Sequence, residues 1–247
     1  MNAAVASPEL APCRPPLSLL GSEPLRAAME LVRHTLADTV PEEEASDGHP
    51  VLVIPGLGSD GLALAPLRRF CASRGYPTLD WEYGRNIGPR GDIDAWLDGL
   101  AGHVGRLLSP YRHRATLIGW SLGGLYAREL AKRMRPRVRQ VITLGTPFDL
   151  NADHTNVGWV LKLLGGPSAD TLDEAMAQRL RTPPPVPTTS IYSRADGVVA
   201  WQCCRHVGNR RRTVRDIEVE GSHLGMGWNP EVMRIVGELL KPARKNA

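Results

Sequence analysis

Three polar residues, far apart in the chain, have types and settings suited to acyl chemistry. Ser121 stands in Gly119-Trp-Ser-Leu-Gly123. Before it, Thr116 to Ile118 reads as a buried strand, and a helix-like segment resumes at Leu122. A serine thrown forward on so tight a turn takes a strained backbone conformation. Any side chain two residues before or after it would meet the neighbouring strand or helix. Glycine at both places removes that collision and leaves the hydroxyl exposed beyond the sheet edge. A serine hydroxyl is a weak nucleophile at neutral pH, so it needs a neighbouring base, and the base needs an orienting acid.

Seven histidines compete for the role of base. His34 and His103 fall in predicted helices, while His49, His113, His154 and His206 are flanked by polar residues or turns. His223, in Glu220-Gly-Ser-His-Leu-Gly225, follows a predicted strand and precedes the last predicted helix. A parallel sheet would carry it to the strand edge that also carries Ser121. Two aspartates follow strands and satisfy the chain order Ser-Asp-His: Asp149, in Thr146-Pro-Phe-Asp149, and Asp196, in Tyr192-Ser-Arg-Ala-Asp-Gly-Val-Val199. The Asp-Gly turn between apolar segments favours Asp196. An oxyanion also needs preorganised donors. The amide of Leu122, at a helix start, is one; the loop Pro55-Gly-Leu-Gly58 supplies the other from Leu57.

The elements that must position these groups follow from apolar periodicity. Val51 to Ile54 reads as a strand buried on both faces, followed by a helix over Leu62 to Ser73 that Gly75 ends. Strands are predicted at Thr78 to Trp81, Val138 to Leu144, Thr188 to Tyr192 and Thr213 to Val219, and helices at Ile93 to Leu108 and Pro230 to Leu240. This alternation predicts an α/β fold with a mostly parallel central sheet flanked by helices, residues 49–148 and 188–247 forming the core. Residues 149–187 break the rhythm: two amphipathic segments, Val157 to Leu164 and Leu172 to Leu180, predict a helical lid. Residues 1–48 form an N-terminal arm and a helix packed on or beside the core. That helix opens at Ser22 as N-cap, and its periodic face, Leu25, Met29, Val32 and Leu36, should dock on something.

One unit points elsewhere. Gly56-Leu-Gly-Ser-Asp-Gly61 is a formal G-x-G-x-x-G after a strand, and Asp80 lies about where a ribose-binding acid would sit. A dinucleotide-binding oxidoreductase would use both, but it leaves Ser121, Asp196 and His223 without a purpose. In the hydrolytic reading the same glycines let the backbone pass close to a substrate carbonyl.

Taken together, Val51-Leu-Val-Ile-Pro-Gly-Leu-Gly-Ser-Asp60, Gly119-Trp-Ser-Leu-Gly-Gly124, Ile142-Thr-Leu-Gly-Thr-Pro-Phe148, Tyr192 to Val199 and Gly221-Ser-His-Leu-Gly225 resemble the α/β-hydrolase superfamily, particularly its bacterial esterase and lipase-like members. The resemblance covers residues 50 to 240. It departs from lipases at Pro55-Gly56, where those commonly have His-Gly. It implies a serine esterase with Ser121 as nucleophile, His223 as base, Asp196 as acid and the Leu57 and Leu122 amides as oxyanion hole. Gly56, Trp120 and Phe148 would line the substrate site, and Gly84-Arg-Asn86 would approach it. No metal or organic cofactor is called for. The substrate would be a small-molecule ester or a lipid; transfer to an alcohol in place of water, or a non-catalytic member of the same fold, is the alternative.

The totals narrow the partners. A net charge of +4 over 247 residues is mild, and with two Phe and five Tyr the chain lacks base-stacking platforms, so no nucleic acid is expected. The cluster Arg205, Arg210, Arg211, Arg212 and Arg215 reads as a solvated loop. No apolar stretch approaches the roughly 18 residues of a membrane span, and no signal-like segment opens the chain. Cys13, Cys71, Cys203 and Cys204 have neither disulfide nor zinc spacing and read as free thiols, which fits a cytoplasmic protein.

Overall fold

The computed structural model describes residues 14–36, 46–149, 174–206 and 212–242. In chain order the described elements are α1 (Leu17–Leu36), β1 (Val51–Ile54), α2 (Ala65–Ser73), β2 (Thr78–Asp80), α3 (Ile93–Leu107), β3 (Ala115–Trp120), α4 (Leu122–Arg133), β4 (Val138–Leu144), α5 (Glu174–Arg181), β5 (Thr188–Tyr192), β6 (Val214–Glu218) and α6 (Pro230–Leu240). The strands lie in the order β2-β1-β3-β4-β5-β6, each pairing parallel. The chain leaves β1 towards β2 on one side and then crosses to β3 on the other. The loops following β1 and β3 therefore diverge and open a crevice at the C-terminal edge of the sheet.

Side-chain alternation along the strands builds two cores. Leu52 and Ile54 of β1 and Leu117 of β3 pack with Leu97, Leu100, Leu125 and Leu130 of α3 and α4. Val51 and Val53, with Ile118, Ile142 and Ile191, pack with Leu67 and Phe70 of α2 and Val232 and Val236 of α6. A sheet covered on both faces explains why β1 and β3 are buried along their whole length. The described cysteines Cys71, Cys203 and Cys204 are free and buried, and burial pushes the thiols of Cys71 and Cys203 up to about 12.

Most of the expected lid, residues 150–173 with the segment Val157 to Leu164, lies outside the described residues, as do Cys13, His154, Arg210 and Arg211. The second amphipathic segment is described as α5. It is fastened to α4 by Arg179, which donates to the buried Glu129 at 2.9 Å, and by Arg128, which donates to the Leu180 carbonyl at 3.0 Å.

The N-terminal helix departs from expectation twice. It begins at Leu17, so Ser22 is not its N-cap; the Ser22 hydroxyl instead donates to the Leu19 carbonyl at 3.1 Å. Pro24 sits inside the helix, where it leaves the carbonyl of Leu20 without its helical donor. The orientation is also inverted. Leu25, Met29, Val32 and Leu36 are 67, 50, 55 and 77% exposed, while Glu23, Ala27 and Glu30 are buried. The physical reason is the receiving surface. It consists of backbone amides and the Trp228 indole N–H, which need acceptors, so two carboxylates and the Ala27 carbonyl face inward.

Candidate active site

Ser121 occupies the turn between β3 and α4 with φ 53° and ψ −123°. A non-glycine residue in that region costs on the order of 1–3 kcal/mol, and the surroundings hold it there. The Ser121 N–H donates to the Leu144 carbonyl at 2.8 Å, and the Ser121 carbonyl accepts from the Gly124 N–H and the Thr146 hydroxyl, both at 3.0 Å. The glycines are steric necessities. A Cβ on Gly119 would fall on the Gly123 carbonyl, one on Gly123 would meet the Pro55 carbonyl oxygen at 2.5 Å, and one on Gly124 would overlap Thr146.

The imidazole of His223 lies between Ser121 and Asp196. Its Nε2 is 3.1 Å from the Ser121 Oγ, and its Nδ1 is 2.6 Å from the Asp196 Oδ2. With Nδ1–H donating to the carboxylate, Nε2 is left to accept from the hydroxyl. The other Asp196 oxygen accepts from the amides of Val198 and Val199 at 2.8 and 2.7 Å, which pins the carboxylate. All three side chains are buried. Burial disfavours the charged imidazole, but the charge and hydrogen bond of Asp196, with the charge of Glu23, outweigh it and raise the His223 pKa above 6.5. Asp149, the other aspartate in the right chain order, is not at the histidine; it faces Arg181 at 2.8 Å.

Among the described histidines, only His223 bonds to Ser121. His49 bonds Thr116 and Asp47, His103 bonds the Trp81 carbonyl, and His206 bonds Arg128 and Asp216. Gly145, at the end of β4 with φ +53°, lies beneath the His–Asp pair: a Cβ there would stand 3.0 Å from the His223 Nδ1. Sequence reasoning gave this glycine no role, although its place at a strand end was the available signal.

The remaining expected residues fall into distinct settings. The amides of Leu57 and Leu122 have no acceptor among the described residues. Leu122 is the first residue of α4, so it has no acceptor four residues back within the helix. Gly56 lies against the serine turn, where a Cβ would come 3.0 Å from the Trp120 ring and 3.2 Å from the Ser121 Cβ. Trp120 is largely buried, and its indole N–H donates to the His223 carbonyl at 3.0 Å, so it fastens the loop that carries the imidazole. Phe148 is buried with the Arg128 guanidinium 3.9 Å from its ring centroid and the His206 ring stacked at 4.2 Å.

Asn86 acquires a definite place. Its side chain donates to the Pro55 carbonyl at 2.8 Å, its carbonyl accepts from the Gly58 N–H at 2.7 Å, and its N–H donates to the Ser59 carbonyl at 2.8 Å. It thereby clamps the loop bearing Leu57. The dinucleotide features find other employment: Asp80 packs against Gly61 and pairs with Arg68 at 3.4 Å. Among the described residues, no group of three His, Cys, Asp or Glu side chains could hold a metal ion, and no helix is long and apolar enough to cross a membrane.

A sequence profile described as the alpha/beta hydrolase family matches residues 51–232, most of the chain. The chain belongs to the alpha/beta hydrolase family. Among characterised proteins, this hydrolase is 27% identical over 105 residues to the pimeloyl-[acyl-carrier protein] methyl ester esterase of Shewanella woodyi, a match covering 42% of this chain and 38% of that protein. Among solved structures, the hydrolase resembles the Paleococcus ferrophilus monoacylglycerol lipase, with TM-score 0.59 and 14% identity over 79% of this chain and 96% of that one. It also resembles a lipase-esterase related protein from Clostridium acetobutylicum, with TM-score 0.55 and 19% identity over 78 and 93% of the two chains. These identities establish a shared fold and nothing finer.

Proposed function

We propose that this alpha/beta hydrolase is a serine esterase that cleaves carboxylic esters through a covalent acyl-enzyme. The observation that carries the reading is the continuous hydrogen-bonded path from the Ser121 Oγ through the His223 imidazole to the Asp196 carboxylate, at 3.1 and 2.6 Å. The Ser121 Oγ bonds to the ester carbonyl carbon as His223 Nε2 takes its proton, and the new oxyanion is held by the Leu57 and Leu122 amides. The ester C–O bond then breaks and His223 returns the proton to the departing alcohol. Water repeats the sequence and releases the acid. Asp196 stabilises the transient imidazolium throughout.

The substrate is a small-molecule ester or a lipid, in keeping with relatives named as a methyl ester esterase and a monoacylglycerol lipase. Hydrolysis of p-nitrophenyl esters of graded acyl length tests the assignment. Turnover is expected, with kcat/KM dependent on chain length. The pH profile adds a second constraint. His223 acts as base only when neutral and its pKa is raised, so kcat/KM should fall as the pH drops through an apparent pKa above 6.5. Absence of turnover on every ester in the series would reject the proposal.

A further inference from the structure

Helix α1 lies outside the matched span 51–232, yet its inward face touches both loops of the triad. One oxygen of Glu23 accepts from the Gly197 amide at 2.8 Å and the His223 amide at 3.1 Å, and the other accepts from the Leu224 amide at 3.0 Å. A single carboxylate therefore bridges the residue after the proposed acid and the proposed base itself. Arg26 donates to Glu23 at 2.8 Å and to the Ala195 carbonyl at 2.6 Å. Seven residues on, Glu30 accepts from the Ser222 amide at 2.7 Å. The loops are shaped to receive the helix. A Cβ on Gly197 would come 2.5 Å from the Leu19 carbonyl, and one on Gly225 would overlap the Glu30 carboxylate.

A buried carboxylate is costly unless its charge is used, and a neutral acceptor would satisfy backbone amides as well. The charges facing the His223 loop are Asp196 from the loop after β5, Glu23 and Glu30 from α1, Arg26 bonded to Glu23, and Glu231 of α6, which accepts from the Glu220 amide at 3.3 Å. Of these, Asp196 and Glu23 are the two that favour the protonated imidazole. We propose that Glu23 is a positioning residue of the active site: it sets the His223 backbone against the Asp196 loop, and its charge stabilises the imidazolium formed as Ser121 gives up its proton. This rests on the Ser121–His223–Asp196 reading above.

The test measures kcat, KM and the pH profile of p-nitrophenyl ester hydrolysis, with thermal unfolding, on the full chain. Glu23→Gln keeps one accepting oxygen but turns an NH2 group towards a backbone N–H. Its kcat should fall by about tenfold with KM little changed, and the acid limb should move to lower pH by several tenths of a unit. Glu30→Gln alters a comparable buried hydrogen bond one residue away and should lower the unfolding temperature without moving the limb. Arg26→Met removes the cation from Glu23 and should move the limb the opposite way, to higher pH; this decides the matter if Glu23→Gln does not fold. A folded Glu23→Gln variant with the wild-type kcat and acid limb, or an unmoved limb in Arg26→Met, overturns the proposal. Failure of the underlying reading has a separate signature, Ser121→Ala retaining full activity.

Discussion

Ser121→Ala is expected to lower kcat for ester hydrolysis by roughly a hundred-thousandfold while leaving the fold intact. The size follows from the mechanism: the alanine side chain has no atom able to form the acyl-enzyme, so His223 and Asp196 are left with no hydroxyl to activate. The fold should tolerate the change because the turn is secured by backbone bonds of residue 121 to Leu144, Gly124 and Thr146, none of which uses the serine hydroxyl. The positive φ at residue 121 remains and is no worse for alanine than for serine. Steady-state kinetics with circular dichroism separate the two quantities. A variant with normal folding and more than a small residue of activity would remove Ser121 from the chemistry.

The second large effect concerns the acid. Asp196→Asn should cost roughly a thousandfold to ten-thousandfold in kcat, because an amide facing Nδ1 can donate and so favours the wrong imidazole tautomer. It also removes the negative charge that favours the imidazolium. Asp149→Asn should leave kcat near wild type, since that carboxylate faces Arg181 instead of the histidine. Both aspartates satisfy the chain order, so kinetics on the pair measure whether spatial placement decides the role. The reverse ranking would transfer the role to Asp149 and contradict the geometry.

Much of the framework could be read directly from residue order. The apolar run at Val51–Ile54 and the mainly apolar end of β4, Val141 to Leu144, are buried throughout in strands covered on both faces, a condition that favours branched apolar residues. Gly119 and Gly123 were legible for a similar reason: each stands where a Cβ would meet backbone, and backbone cannot move aside. The meeting of His223 and Asp196 at the Ser121 turn was legible through chain order and strand-end position, which a parallel sheet converts into proximity.

The role of α1 was not legible, and its periodic stripe pointed the wrong way. Leu25, Met29, Val32 and Leu36 suggested a docking face, but the partners of this helix are amides in distant loops, which leave no side-chain pattern to recognise. Gly197 and Gly225 held a trace of it. Asp196-Gly197 reads as a turn, yet the glycine is also required because the α1 backbone lies against it. Asn86 was expected near the site, but its bonds to the Leu57 loop were hidden for the same reason, since they run to main-chain groups. Contacts between side chains and remote backbone are specific in space and nearly silent in sequence.

The central claim is that the hydroxyl of Ser121 is a nucleophile activated by His223. Mass spectrometry after treatment with a fluorophosphonate probe addresses it most directly, because the probe is captured by an activated serine and leaves a stable adduct. One adduct is expected on the peptide carrying Ser121, and it should be absent from the folded His223→Ala variant. An adduct on a different residue, or undiminished labelling of Ser121 without the imidazole, would contradict the account.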